Sequence, residues 1–318
     1  MITYLTEDDV AAILDVPIAM ELLADASRKL VAGEASVAPR QRVASGGVMM
    51  NVLAAALDGR VGHKTYPVAR PRGATFWFTL FGNDGRMLAL IEADRLGQLR
   101  TGAASGLATD VLARPDAKIA TIAGCGWQAR TQLEAVCIAR PLIERAYAYG
   151  RDPGRQRAFC DEMTERLQIP VEPADDLATA VAAADVVITM TNAAEPLLHG
   201  SMLREGTHIN AAGSNRATSA EIDPEVVQRS AIVAVENLAQ ARVESGDLIH
   251  AERAGTFDWS RMVLLEDIVA GTAPARADAS QITLFESLGI GLWDIAAANY
   301  VYDRAIERNM GRPVDIPG

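Results

Sequence analysis

Lysine is nearly absent from this 318-residue chain: it stands only at Lys29, Lys64 and Lys118, and arginine makes up the rest of the 30 basic residues. Positive charge as a whole is short, because 41 acidic residues leave a net charge of −11. Phosphate repels such a chain, which excludes nucleic acid as its main partner. Cysteine is sparse as well. Cys125, Cys137 and Cys160 are an odd set without metal-ligand spacing, so a disulfide framework is excluded and a reducing cytoplasm is expected. No apolar run approaches the roughly 20 residues a membrane-spanning helix needs. The acidic N-terminal stretch Met1–Asp9 lacks the apolar core of a secretory leader. His63, His199, His208 and His250 are scattered, and no metal site is expected. Scarcity gives the remaining lysines weight, since a buried lysine can lose its proton and arginine effectively cannot.

What is present is hydrophobic material, 49% of the chain, enough for one large or two ordinary domains. Thr6 before Glu7-Asp8-Asp9 reads as a helix cap, and a second helix is predicted from Pro17 to about Ala32. Between residues 40 and 92 the pattern changes to short runs (47–57, 75–81, 87–91) split by Asp58-Gly59 and Asn83-Asp84-Gly85, which predicts an antiparallel sheet. A helix is expected from Asp94 to Ala113, stopped by Pro115. After that the rhythm is strand, helix, strand. Runs at 119–123, 145–149, 185–189, 208–212 and 231–235, with helical stretches between several of them, imply a parallel doubly wound sheet. Ser280 to Asn309 reads as one long Ala-rich helix that packs back on the first domain.

The strand at 119–123 leads into Gly124-Cys125-Gly126-Trp127-Gln128-Ala129 and then a helix. In this pattern the first glycine permits a tight turn, the second lets the backbone approach a diphosphate, and Ala129 lets helix and strand pack closely. The helix N-terminus offers amides and partial positive charge to the phosphates. An acid about 20 residues further on would bind a ribose 2′-hydroxyl. Here the second strand ends in Gly150-Arg151-Asp152. Glycine takes the place of the acid and Arg151 suits a 2′-phosphate, so NADP(H) is favoured over NAD(H), with Asp152 still within reach of a ribose. Cys125 inside the turn reads as a small filler. Upstream stand Arg42, Lys64 and Arg100, the last at the start of an otherwise small-residue, apolar helix where a long cation is out of place. Together they would suit a carboxylate: arginine supplies a bidentate fork, lysine a titratable point charge.

These residues carry a resemblance to the ornithine cyclodeaminase/mu-crystallin family over nearly the whole chain. The matching segments are Gly62-His63-Lys64, Leu99-Arg100-Thr101-Gly102-Ala103-Ala104, the Gly124–Ala129 turn, His208-Ile209-Asn210-Ala211-Ala212-Gly213 and Thr283-Leu284-Phe285-Glu286-Ser287-Leu288-Gly289. The resemblance implies an α/β protein. A Rossmann doubly wound parallel sheet (residues 116–289) would join an α+β substrate and dimerisation domain with a mainly antiparallel sheet (residues 1–115 and 290–318), in a cytoplasmic homodimer. It implies that Arg42, or Arg40 in its place, holds a substrate carboxylate with Lys64 and Arg100. Thr75, at the start of a strand, would lie near substrate and nicotinamide. Gly124, Gly126, Trp127, Gln128 and Ala129 would bind the diphosphate, Gly150, Arg151 and Asp152 the adenosine ribose, and Thr191 and Ser287 would line the nicotinamide side. Cyclodeaminases of the family carry an aspartate acid/base where this chain has Asn215. An amide neither takes nor gives a proton near neutral pH.

The expected activity is therefore NAD(P)H-dependent reduction of the C=N bond of a small α-imino acid or ketimine carboxylate. Lys64 would exchange the proton, and Asn215 would hydrogen-bond the substrate nitrogen or the cofactor amide. Two alternatives stay open. One is an amino-acid dehydrogenase or ornithine-type cyclodeaminase. The other is an NADPH-dependent binding protein without turnover.

Overall fold

The computed structural model describes residues 1–69 and 71–315. Strand β1 (Ile2–Leu5) runs into α1 (Glu7–Ile13) through a capping box. The Thr6 hydroxyl accepts from the Asp9 amide at 3.3 Å, and the Asp9 carboxylate accepts from the Thr6 amide at 2.9 Å, so two otherwise orphaned donors are satisfied. Asp15 caps α2 (Val16–Val31) by accepting from the Ile18 amide. There follow β2 (Ala35–Val37), β3 (Gln41–Ser45), β4 (Val48–Leu57), β5 (Arg60–Ala69), β6 (Gly73–Ala74), β7 (Trp77–Phe81), β8 (Met87–Glu92) and α3 (Asp94–Leu112). Asp58 and Gly59 join β4 to β5 with φ of 53° and 72°, the twist that a two-residue hairpin favours. Along β4, Asn51, Leu53, Ala55 and Leu57 turn inward at every second position.

The middle of the chain supplies β9 (Ile119–Ala123), α4 (Trp127–Ala139), β10 (Arg145–Tyr149), α5 (Pro153–Leu167), β11 (Val171–Pro173), α6 (Leu177–Ala183), β12 (Val186–Thr189) and β13 (His208–Ala211). It continues with α7 (Pro224–Arg229), β14 (Ser230–Val235), α8 (Leu238–Glu244), α9 (Gly246–Arg253), β15 (Met262–Leu264), α10 (Leu265–Val269) and β16 (Ile282–Glu286). The eight strands form one parallel sheet in the order β11-β10-β9-β12-β13-β16-β14-β15. Its central strands are buried at every position, as expected of a sheet covered on both faces. The strand order reverses at β9, which has β10 on one side and β12 on the other. The crevice beyond the carboxyl ends at such a point is where open α/β sheets bind ligands.

The chain closes with α11 (Gly291–Glu307) and β17 (Arg312–Val314). Met1–Arg100 and Gly289–Gly318 form one unit, with Thr101–Leu288 inserted as the second. The first unit holds a mixed nine-stranded sheet, mainly antiparallel, along β17-β1-β8-β7-β5-β4-β2 with β3 on β4 and β6 on β5. Helix α11 packs on β4 and β5.

Two sequence expectations change. The stretch 280–309 is not one helix: 282–286 is the fully buried strand β16 between β13 and β14, and helix begins only at Gly291. A short apolar run does not distinguish a buried strand from a buried helix. Thr75 does not start a strand; it is exposed in the gap between β6 and β7. β1, which carries no turn signal of its own, pairs parallel to β8. Among the described residues no helix is long and apolar enough to cross a membrane.

Candidate active site

Lys64 lies on β5 between Leu53 of β4 and Phe78 of β7, both core residues. Its surroundings are hydrocarbon and it is itself 3% exposed, a position an ammonium holds only with a partner. The partner comes from the first turn of α11. Lys64 Nζ donates to Asp294 Oδ1 at 2.6 Å, and Arg100 Nε on α3 donates to the same oxygen at 2.8 Å. Asp294 is fully buried, and its Oδ2 has no hydrogen-bond partner among the described residues. Arg40, also buried, donates from Nη2 to the Gly289 carbonyl at 3.1 Å, and its charge acts on Lys64.

Burial, reinforced by the Arg100 and Arg40 charges and opposed by Asp294, lowers the Lys64 ammonium to about 7. Burial acts to raise the Asp294 carboxyl, but the Arg100 and Lys64 charges and hydrogen bonds outweigh it and hold the group below its ordinary value. The unit thus contains an amine able to exchange a proton near neutral pH, locked to a permanent carboxylate, with guanidinium groups close by.

The second unit contributes a cavity of about 530 Å³ at the carboxyl ends of β9, β10 and β12. Gly124 turns the chain out of β9 at φ +118°, and a Cβ there would lie 2.1 Å from the Met190 carbonyl oxygen, so only glycine fits. Gly126 is the reverse case: nothing lies within 4 Å of the corresponding position. It is the N-cap of α4 and brings no side chain to cap the helix, which leaves the start of α4 suited to an anion. This open loop, the bare helix start and the cavity fit a dinucleotide with its diphosphate at α4.

Beyond β10 the wall is formed by Gly150, Arg151, Asp152 and Arg155. Asp152 Oδ1 accepts from the Gly154 and Arg155 amides at 2.9 and 3.0 Å and so caps α5. Arg151 is exposed. Cys125 Sγ lies 3.0 Å from where a Cβ on Gly150 would be. Burial pushes the Cys125 thiol up to about 11, which makes it a filler and not a nucleophile.

The structure brings Lys64, Arg100 and Arg40 together. Arg42 donates to Asn51 at 3.0 Å, and Asn51 stands opposite Tyr66, on the same face of β5 as Lys64 but one pleat further along. Gly124, Gly126, Gly150, Arg151, Asp152 and Thr191 line the cavity. Trp127 is half exposed at the start of α4, Gln128 is half-buried, and Ala129 is buried in the core beneath. Ser287 is buried and donates to Glu236 at 3.1 Å. Asn215 is half-buried in the segment between β13 and α7. Sequence reasoning missed Asp294, Arg155 and Glu221. Asp294 did carry a signal, a lone acid within the otherwise apolar stretch 291–298.

Residues 64–309 match the ornithine cyclodeaminase/mu-crystallin family model. A Δ1-pyrroline-2-carboxylate reductase of Bacillus cereus is 36% identical over 232 residues, covering 73% of this chain and 71% of that protein. The structure of Thermococcus litoralis Δ1-pyrroline-2-carboxylate reductase with NADH and L-proline is 32% identical, with TM-score 0.94 over 98% of this chain and 100% of that one. An archaeal alanine dehydrogenase dimer with bound NAD is 27% identical, with TM-score 0.93 over 99% of both chains. With the family model matched over 64–309 and a relative 36% identical across 73% of this sequence, the chain belongs to the ornithine cyclodeaminase/mu-crystallin family.

Proposed function

We propose that the protein reduces the C=N bond of a small α-imino acid or ketimine carboxylate with NAD(P)H. The observation that carries this reading is Lys64: a buried lysine near its titration point, fixed by Asp294 beside Arg100 and Arg40. Such a group can both attract a carboxylate and deliver a proton. The relatives that reduce pyrroline carboxylate support the same class of substrate.

In this reading Arg40 and Arg100 bind the substrate carboxylate through their guanidinium forks, and we prefer Arg40 to Arg42 because Arg40 is the one beside Lys64. A reduced nicotinamide, when bound, would supply the hydride for the imine carbon. The nitrogen takes one proton, and the Lys64 ammonium gives it, leaving neutral lysine to be reprotonated from water; a buried lysine poised near 7 suits this exchange. Asn215 contributes hydrogen bonds to the substrate nitrogen or the cofactor amide, having no proton to exchange. That amide also disfavours ring-closing deamination at this position.

NADP(H) is the preferred cofactor. Asp152 is engaged in capping α5, Gly150 offers no acid, and Arg151 and Arg155 stand in the wall of the cavity. A related structure holds NADH, so the test compares both cofactors. Purified protein with Δ1-pyrroline-2-carboxylate and either NADPH or NADH is expected to consume the reduced cofactor, faster at low concentration with NADPH. No loss of 340 nm absorbance with any cyclic ketimine carboxylate would overturn the proposal.

A further inference from the structure

Glu221 has no exposed surface and lies outside every motif of the sequence, yet its carboxylate receives four hydrogen bonds. Oε1 accepts from the Thr191 amide and the Thr191 hydroxyl, both at 2.6 Å. Oε2 accepts from the Thr189 hydroxyl at 2.9 Å and the Gly213 amide at 2.7 Å. Thr191 follows β12, and Gly213 follows the neighbouring strand β13 and leads into Asn215. One side chain therefore ties together the two segments that leave the sheet beside the cavity.

The backbone of the same residue extends the tie. The Glu221 carbonyl accepts from the Leu197 and Leu198 amides at 2.9 and 3.0 Å, and Thr191 and Leu197 both line the cavity. Glu221 is held in turn from α9, where Asp247 Oδ1 accepts from the Glu221 and Ile222 amides at 2.7 and 2.8 Å. Gly213 shows how tight the arrangement is. A Cβ there would lie 2.4 Å from the Thr191 amide nitrogen and 2.5 Å from Glu221 Oε1. A fully accepting carboxylate meets all four donors at once, whereas an amide would turn an N–H toward one of them and leave a buried donor unpaired.

We propose that Glu221 is a positioning residue of the cofactor site, setting the spacing of Thr191, Leu197 and the Gly213–Asn215 segment along one wall of the cavity. The proposal rests on the reading of that cavity as a dinucleotide site and not on imine turnover. Its test is direct titration of NADPH into the Glu221→Gln variant, followed by cofactor fluorescence, with KM for cofactor and for imine measured separately. The dissociation constant for NADPH is expected to rise at least tenfold, while KM for the imine, reached only through Asn215, rises by a clearly smaller factor. A general loosening of the fold would move both. Wild-type affinity in a folded Glu221→Gln protein, or equal changes in the two KM values, would overturn the proposal. Failure of the wild-type protein to bind NADPH or NADH would instead remove the dinucleotide reading beneath it. Should Glu221→Gln not fold by circular dichroism, Thr189→Val removes one of the four donors and keeps both amide bonds. Weaker NADPH binding by three- to tenfold is then expected, and an unchanged constant would overturn the proposal.

Discussion

The two units bury charge in opposite ways. In the first, the cations Lys64 and Arg100 meet on one oxygen of the carboxylate Asp294. In the second, the interior is acidic. Glu221, Glu236, Glu244, Asp247, Glu266 and Glu286 are all at most 2% exposed. Glu221 is solvated by four donors, but no donor of another described residue reaches either oxygen of Glu266, and burial raises that carboxyl well above its ordinary value. The first unit meets this buried charge with counter-ions; in the second, Arg114 and Arg204 pair with buried Asp185, but the six acids named are met by hydrogen bonds and by burial that raises Glu221, Asp247, Glu266 and Glu286 above their ordinary values. In the first unit burial, with the Arg100 and Arg40 charges set against Asp294, makes a group that can switch its charge near neutral pH. In the second, raised carboxyls keep the interior's charge low, with Asp247, at about 7, titrating in the same range as Lys64. The chemistry is expected in the first arrangement and the support of the binding walls in the second.

The sharpest way to break the contrast is to remove the switching group. Lys64→Met is expected to lower kcat/KM for the imine by roughly 10³-fold, within the range of a lost proton donor. Lys64→Arg should be nearly as poor, since arginine keeps its proton. Because the ammonium is the useful form for reduction, wild-type kcat/KM should fall as pH rises through about 7; a pH profile of initial rates without that limb would count against Lys64 as the donor.

Next in size is the counter-ion. Asp294→Asn leaves Lys64 and Arg100 buried without their carboxylate, a change that typically destabilises by about 3–5 kcal/mol. The carboxylate is also what raises the lysine against burial, so its loss should move the falling limb of kcat/KM to lower pH. Thermal melting with the pH profile separates the two effects. A limb that stays near 7 would mean Asp294 serves stability alone.

The parts of this arrangement differed in how readily the sequence revealed them. The glycine turn is local: strand, turn and helix stand within about 20 consecutive residues, so pattern alone locates it. Lys64 drew notice through scarcity and Arg100 through its small-residue helix. Their partner is 230 residues from Lys64 in the chain, and no periodicity marks it. β16 was hidden because its apolar run flows almost directly into an apolar helix. Glu221 lies in a polar segment that reads as loop, and its meaning arises only when β12 and β13 come side by side. Two residues apart in an extended segment, Arg40 and Arg42 share a face, and only the folded sheet distinguishes the arginine whose charge acts on Lys64 from the one bonded to Asn51.

A third kind of charge sharpens the comparison further. Arg151 is exposed, where solvent screening leaves little intrinsic stabilisation, so its effect should show only when a ligand is present. Arg151→Ala is expected to raise KM for NADPH about tenfold, roughly one lost charge-assisted contact. KM for NADH and the melting temperature should stay unchanged. Equal effects on both cofactors would assign Arg151 to something other than a 2′-phosphate.

The smallest expected effect tests the acidic interior itself. Glu286 and Asp247 face each other, and burial raises both carboxyls; Asp247, brought to about 7, is pushed up further by the Glu221 charge and eased by a hydrogen bond with Glu286, while Glu286 is pushed up further by the Asp247 charge. In the unfolded chain both would ionise near 4. Between those values the folded protein holds more protons than the unfolded one, so stability must fall as pH rises through that window. Lys64 has the opposite sign: its lowered value makes stability rise between about 7 and its ordinary 10.5. Glu286→Gln keeps an acceptor for the Ser245 hydroxyl, which now bonds to Glu286 Oε1 at 2.6 Å, and removes one of the two charges. Urea denaturation of the variant should therefore show a flatter profile from pH 5 to 7 and a gain of about 1 kcal/mol at pH 8, the scale of one pKa unit. The rise above pH 7 should persist, because it comes from the other unit. If the variant kept the wild-type slope below pH 7, the acids of the second unit would be ionised and solvated by their hydrogen bonds, and protonation would not be how that interior keeps its charge low.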